Sequence, residues 1–160
     1  LRRRGGVTAM AFALMVVVAA SSFAARAEAS IMLGQGAAGI RLGDSKGYVL
    51  KKLGKPYRSE PTFLVFEKPC LCSVDIKQNR VSGIDIFSKS QRTSKGVGVG
   101  TSYEKTVVAY PEAKCYHPPV YGETSRYCVI KSEYKGRAVK TVFAFFEKGL
   151  GVRDIEVRFG

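Results

Sequence analysis

The chain contains no tryptophan, a single histidine and only 13 acidic residues against 26 lysines and arginines. Each scarcity narrows the chemistry. With one imidazole, any general base, triad or histidine-assisted metal site has to use His117. No Gly-x-Ser-x-Gly elbow occurs. The glycine-rich stretch Gly96-Val97-Gly98-Val99-Gly100 lacks the Lys-Ser/Thr that ends a phosphate-binding loop. The few carboxylates lie near lysines. Asp75 with Asp85, and Asp154 with Glu156, could meet as acid pairs, but they read as solvated hairpin acids. A metal set of Cys70, Cys72 and His117 has no second Cys-x-x-Cys to complete it. These absences predict a protein that is not an enzyme, with no cofactor and no metal.

What is present begins with a leader. Leu1-Arg2-Arg3-Arg4 is basic, and Ala9 to Ala20 is an uncharged, mostly apolar run. Small residues follow, with overlapping A-x-A patterns ending at Ala27 and Ala29. This order matches a secretory signal peptide over 1–29. Its core of about twelve residues is short for a membrane span of about 20. No cysteine follows the small residues, so the expectation is not a lipoprotein but a periplasmic or secreted chain, cleaved near Ala27 or Ala29. Four arginines and one glutamate leave with the leader, so the net charge of +13 becomes +10. In the cytosol that excess would point to nucleic acid. Outside it, no nucleic acid is expected. Another envelope or extracellular protein, anionic lipid or lipopolysaccharide takes its place.

The remaining sequence repeats itself. Gly39-Ile40-Arg41-Leu42-Gly43-Asp44-Ser45 returns as Gly96-Val97-Gly98-Val99-Gly100-Thr101-Ser102. Each copy leads into a short helical pattern. Asp44 is positioned as an N-cap for the first, and Thr101 with Glu104 as a capping box for the second. Gly54 and Pro56, then Pro111, end them. Three strand patterns follow each helix: 63–66, 71–76 and 81–87, then 127–130, 138–146 and 152–159. Asn79 and Gly149-Leu150-Gly151 mark hairpins. The polar stretch Ser88–Lys95 is the boundary. The predicted fold is α+β: two tandem helix–three-strand repeats, residues 30–95 and 96–160, with helices packed on one face of an antiparallel sheet.

Residues 39–56, G-I-R-L-G-D-S-K-G-Y-V-L-K-K-L-G-K-P, resemble the repeat start of two related groups. These are the outer-membrane assembly lipoproteins of the SmpA/OmlA (BamE) type and the β-lactamase inhibitor protein. The glycine–hydrophobic–glycine turn, the capped helix and the L-G-x-P exit are the shared points. The tandem copy resembles the inhibitor more. The resemblance implies a protein-binding sheet face away from the helices.

Four cysteines in an exported chain predict disulfides. Cys115 and Cys128 lie at the second helix exit and in the next strand. Joining them would add about 3 kcal/mol on the chain-entropy account. The inhibitor resemblance implies a similar helix-exit-to-strand bridge. Cys70 and Cys72, if both extended, stand roughly 6–7 Å apart, too far for an easy bond. They form a strained bridge, pair across a dimer, or stay reduced. Tyr57, Tyr116, Tyr121, Tyr127 and Tyr134 lie near turns and strand ends and are the candidate binding face. The expected function is a non-enzymatic protein-binding module, an inhibitor or an envelope-assembly accessory. The rivals are an anionic-lipid or lipopolysaccharide binder and a small envelope hydrolase. The sequence specifies neither the partner nor an oligomeric state.

Overall fold

A computed structural model describes residues 30–117, 126–146 and 151–160, with the backbone of 119–120 and 123–124. The expected leader lies outside the described residues. Among the described residues, no helix is long and apolar enough to cross a membrane.

The chain opens with three two-residue strands, β1 (Ile31–Met32), β2 (Gly36–Ala37) and β3 (Ile40–Arg41). Ala38 and Gly39 join the last two, both at positive φ (54° and 78°). A two-residue turn of that kind matches the twist of a hairpin. Helix α1 (Lys46–Leu53) follows. Then come β4 (Arg58–Ser59), β5 (Phe63–Phe66), β6 (Cys72–Lys77) and β7 (Arg80–Ile86). The second half contains α2 (Tyr103–Ala109) and β8 (Lys114–Tyr116), then the ribbon of β9 (Pro119–Val120) and β10 (Glu123–Thr124). It ends with β11 (Arg126–Tyr134), β12 (Arg137–Phe145) and β13 (Val152–Phe159).

Eight strands form one antiparallel sheet in the order β4-β5-β6-β7-β13-β12-β11-β8. The last strands of the two halves, β7 and β13, pair at its centre. Ile86 faces Ile155, Asp85 faces Glu156, Ile84 faces Val157 and Gly83 faces Arg158. The two edge strands are only two and three residues long. Short edges limit pairing with other chains.

The α+β expectation is overturned. Among the described residues the protein is mostly β, 49% strand and 13% helix, with a three-stranded and an eight-stranded sheet and two helices. Each half supplies four strands to the large sheet instead of three. The helices do not form a layer over it. They are eight and seven residues long, and their fully buried side chains are Val49 and Leu53 in α1 and Thr106 in α2. Two turns cannot present a broader apolar face. The N-terminal meander takes that place. Ile31, Ala37, Ile40 and Leu42 are buried in the same core as Val74, Ile84, Phe143, Ile155 and Val157. The Gly34 amide donates to Thr141 Oγ1 of β12 at 2.9 Å, inside the core. At Gly34 (φ +68°) a Cβ would lie 2.0 Å from Ser132 Oγ, so only glycine allows this approach. Residues 30–38 carry too short an apolar pattern to read as strands, and glycines make the meander possible.

The segment 88–95 is also part of this cover. Ile31 bridges Thr93 in parallel, and the Arg92 amide donates to Ser30 Oγ at 2.9 Å. Both helix caps sit one residue later than the patterns suggested. Ser45 Oγ accepts from the Tyr48 amide and Ser102 Oγ from the Lys105 amide. Asp44 and Thr101 serve the preceding turns. Asp44 Oδ2 accepts from the Arg41 amide at 2.7 Å, and Thr101 Oγ1 from the Gly98 amide at 3.0 Å.

Bulges shift the alternation expected for β7 and β13. Ser82 is the extra residue between the pairs Ile76–Val81 and Asp75–Gly83. Arg153 is extra between Phe145–Val152 and Ala144–Asp154. One inserted residue reverses which face a side chain takes. Val81 and Val152 therefore join Ile84, Ile86 and Ile155 in the core. A strict two-residue period without the bulges would place them with Asp85 and Asp154.

The meander's role makes a direct prediction. Ile40→Ala should lower the unfolding free energy by roughly 3 kcal/mol in urea titrations. Leu50→Ala, on the outer side of α1, should cost less than about 1 kcal/mol.

Candidate functional site

The bulges and registers define two unlike sheet faces. The inner one is the core. Three rows of residues cross the outer one. Val65, Ser73, Asp85, Glu156, Val142, Val129 and Lys114 align through successive pairs from β5 to β8. A second row contains Phe63, Asp75, Gly83, Arg158, Lys140 and Lys131. A third, shorter row ends in Ala144, Tyr127 and Tyr116. Among the described residues, neither the meander nor a helix is part of these rows.

The centre of this face is charged. Arg158 lies within 3.7 Å of an Asp75 oxygen and 3.9 Å of one from Asp85, and it also contacts Glu156. Ser73 Oγ donates to Asp85 Oδ2 at 3.0 Å, and Arg153 contacts Asp154. Gly83 opposes Arg158, and a Cβ there would come within 2.9 Å of Asp75 Oδ2. The glycine leaves room for the arginine to reach across. Both suspected acid pairs are thus on one face, each engaged by an arginine. Burial pushes the Asp85 carboxyl above its ordinary value, the Ser73 bond opposes this, and the Asp75 charge adds to it.

The corner at β8 and β11 is aromatic. Tyr116 and Tyr127 are cross-strand partners, and their rings stack at 5.2 Å between centroids and 24° between planes. Beside them a groove of about 260 Å³ is lined by Glu112, Lys114, Tyr116, Val129, Ile130 and Lys131. Tyr116 is 42% exposed. The adjacent residues Cys115 and Cys128 point to the core side and are disulfide-bonded, with a Cα separation of 4.0 Å. This bond fixes the register of a three-residue edge strand, and with it the tyrosine stack. The signal was available in sequence as the alternation Lys114-Cys115-Tyr116 and Tyr127-Cys128-Val129.

The structure does not bring all five tyrosines together. Tyr57 is 75% exposed at the opposite edge, where its amide donates to the Val65 carbonyl. Seven strand spacings, about 34 Å, separate the two edges. Tyr134 takes the core side of β11 and packs against the core. Tyr121 lies outside the described residues. Sequence reading missed Val129, Val142 and Lys131 on this face. Their placement depends on strand register, which a single sequence does not show.

Cys70 and Cys72 are joined as well, with a Cα separation of 5.3 Å. The expected distance assumed both were extended. Cys70 instead ends a turn before β6 begins, which shortens the gap. Both thiols of the considered metal set are therefore committed to a disulfide. His117 is exposed, and its ring meets Tyr103 edge-on at 6.1 Å. Among the described residues, no group of three His, Cys, Asp or Glu side chains is arranged to hold a metal. Two formed disulfides are compatible with an extracellular or periplasmic location.

No family model, no curated protein and no solved structure matches this chain.

The raised Asp85 carboxyl has a signed consequence. The folded state holds its proton more tightly than the unfolded chain, so this group's contribution to stability falls as pH rises through the interval above the ordinary aspartate value. Thermal melts from pH 3.5 to 7 should show this fall in the wild type and lose that part of it in Asp85→Asn. A slope unchanged by the substitution contradicts the assignment.

Proposed function

We propose that the protein is an exported, non-enzymatic binding module that recognises another envelope or extracellular protein through the open face of its eight-stranded sheet. The carrying observation is the Tyr116–Tyr127 stack beside the groove at the β8–β11 corner. Tyrosine offers large contact area with few rotors to immobilise, and interface hot spots favour it. Val129 and Val142 extend the apolar patch, while Lys114, Lys131 and Lys140 border it. An apolar centre with a polar rim is the usual anatomy of such a surface. The leader pattern and the two disulfides support export. The likeness of residues 39–56 to the inhibitor and assembly-lipoprotein groups supports a role in protein binding.

Pull-down from envelope extract should retain the same partner with the wild type and with Tyr57→Ala. Tyr116→Ala combined with Tyr127→Ala should reduce retention at least tenfold, with the melting temperature nearly unchanged. Retention by the double variant overturns this reading. Binding should also survive high salt, since surface charge alone would be screened. His117→Ala should leave binding intact.

The disulfide beneath the stack gives a further check. Replacing Cys115 and Cys128 together by Ser should cost about 3 kcal/mol of stability, and partner retention should fall with it. A non-reducing peptide map should show Cys70–Cys72 and Cys115–Cys128 as the two bridges.

A further inference from the structure

A second site lies away from the open sheet face and is independent of the reading above. A polar cleft of about 680 Å³ opens between the N-terminal meander and α1. Arg41 at the end of β3 and Lys52 in the last turn of α1 both line it, with Tyr48 one helical turn before Lys52. Lys52 reaches over the β2–β3 turn. A Cβ at Gly39 would lie 2.8 Å from Lys52 Cε, so the glycine leaves space for that side chain. Among the described residues, neither Arg41 nor Lys52 forms an ion pair. Asp44 also lines the cleft, but its carboxylate already accepts from the Arg41 backbone amide at 2.7 Å. Two cations and one carboxylate thus face a shared space, a net charge of +1, with one oxygen of the carboxylate held by that amide.

The second repeat supplies an internal comparison. The offset that aligns Gly39 with Gly96 places Gly98 and Ala109 where the first repeat has Arg41 and Lys52. The same corner of capped turn and short helix forms there, with Lys95 Nζ donating to the Ala109 carbonyl at 2.6 Å. Its arginine, Arg92, is used internally, donating to the Gly96 carbonyl at 3.2 Å and to Thr101 Oγ1 at 3.1 Å. The cations of the second corner are thus used internally, whereas Arg41 and Lys52 form no ion pair among the described residues.

We propose that this cleft binds the phosphate of a phosphomonoester. The guanidinium fork of Arg41 matches two phosphate oxygens, and Lys52 adds a compact second charge. Two cations suit a dianion better than a monocarboxylate. The cleft is wider than a bare ion requires, so it accommodates what the phosphate is attached to. The phosphate could be carried by a soluble ester or by a lipid headgroup.

The protein as isolated would be titrated with phenyl phosphate and inorganic phosphate at constant ionic strength, followed by calorimetry and by the Arg41 side-chain NMR signal. In parallel, it would be sedimented with phosphatidylcholine vesicles with and without phosphatidic acid. Saturable binding to either phosphate source is expected. Arg41→Ala and Lys52→Ala should each weaken it about tenfold. A Lys89→Ala, Lys105→Ala variant removes two charges elsewhere, more than either site variant does, and should still bind as the wild type does. Binding only in the soluble arm assigns a soluble ester, and binding only to phosphatidic acid vesicles assigns a headgroup. The site is overturned by no binding in either arm, or by equal weakening in the Lys89, Lys105 control. Loss of this binding leaves the Tyr116–Tyr127 reading untouched, and the reverse also holds.

Discussion

The pairing of β7 with β13 is the contact on which the rest of the molecule depends. Four cross-strand pairs, Gly83–Arg158 to Ile86–Ile155, join two halves that are each too thin to bury a core. On the inner side these strands present Ile84, Ile86, Ile155 and Val157, all fully buried. On the outer side the same pairs bring Asp85, Glu156 and Arg158 into one network. Separating the strands would expose the apolar set and scatter the charged one.

The two faces are then assigned different tasks. The N-terminal meander covers the inner face, fastened by the Gly34–Thr141 bond and by the Ile31–Thr93 bridge. The corners after each glycine-rich turn tie that cover to the central strands. The Gly43 amide donates to the Val81 carbonyl and the Gly100 amide to the Val152 carbonyl, both at 2.8 Å. Among the described residues the outer face has no such cover. Its aromatic corner is held by a disulfide set against the core beneath it, which is how a three-residue edge strand can keep two tyrosines stacked. Rigid presentation lowers the entropy lost on binding.

Much of this was legible in the sequence, and the failures have physical causes. The strands of β5, β6, β7 and β11 to β13 show apolar alternation strong enough to read. The Cys115–Cys128 bridge followed from position. The glycine–aliphatic–glycine copies lead into the two helices, but their Asp44 and Thr101 close turns while the following serines cap the helices. The fold class failed because helix signals at Tyr48–Leu53 and Tyr103–Val108 were given the job of covering the sheet. Two-turn helices cannot do that, and the segment that does, Ile31 to Leu42, is read locally as glycine-rich turn. The bulges at Ser82 and Arg153 were also invisible, since each needs a partner strand to define it. The site was half legible. Tyr116 and Tyr127 were named, but their adjacency, and the exclusion of Tyr57 and Tyr134, are consequences of register.

Native-state hydrogen exchange is the most direct test of the central claim. The slowest amides should be those of Gly83–Ile86 and Ile155–Arg158, exchanging together at the global unfolding free energy, while α1, α2, β4 and β8 open earlier. If the two halves instead exchange as separate units, with β7 and β13 no better protected than the edges, the sheet is not held together at its centre and this account is wrong.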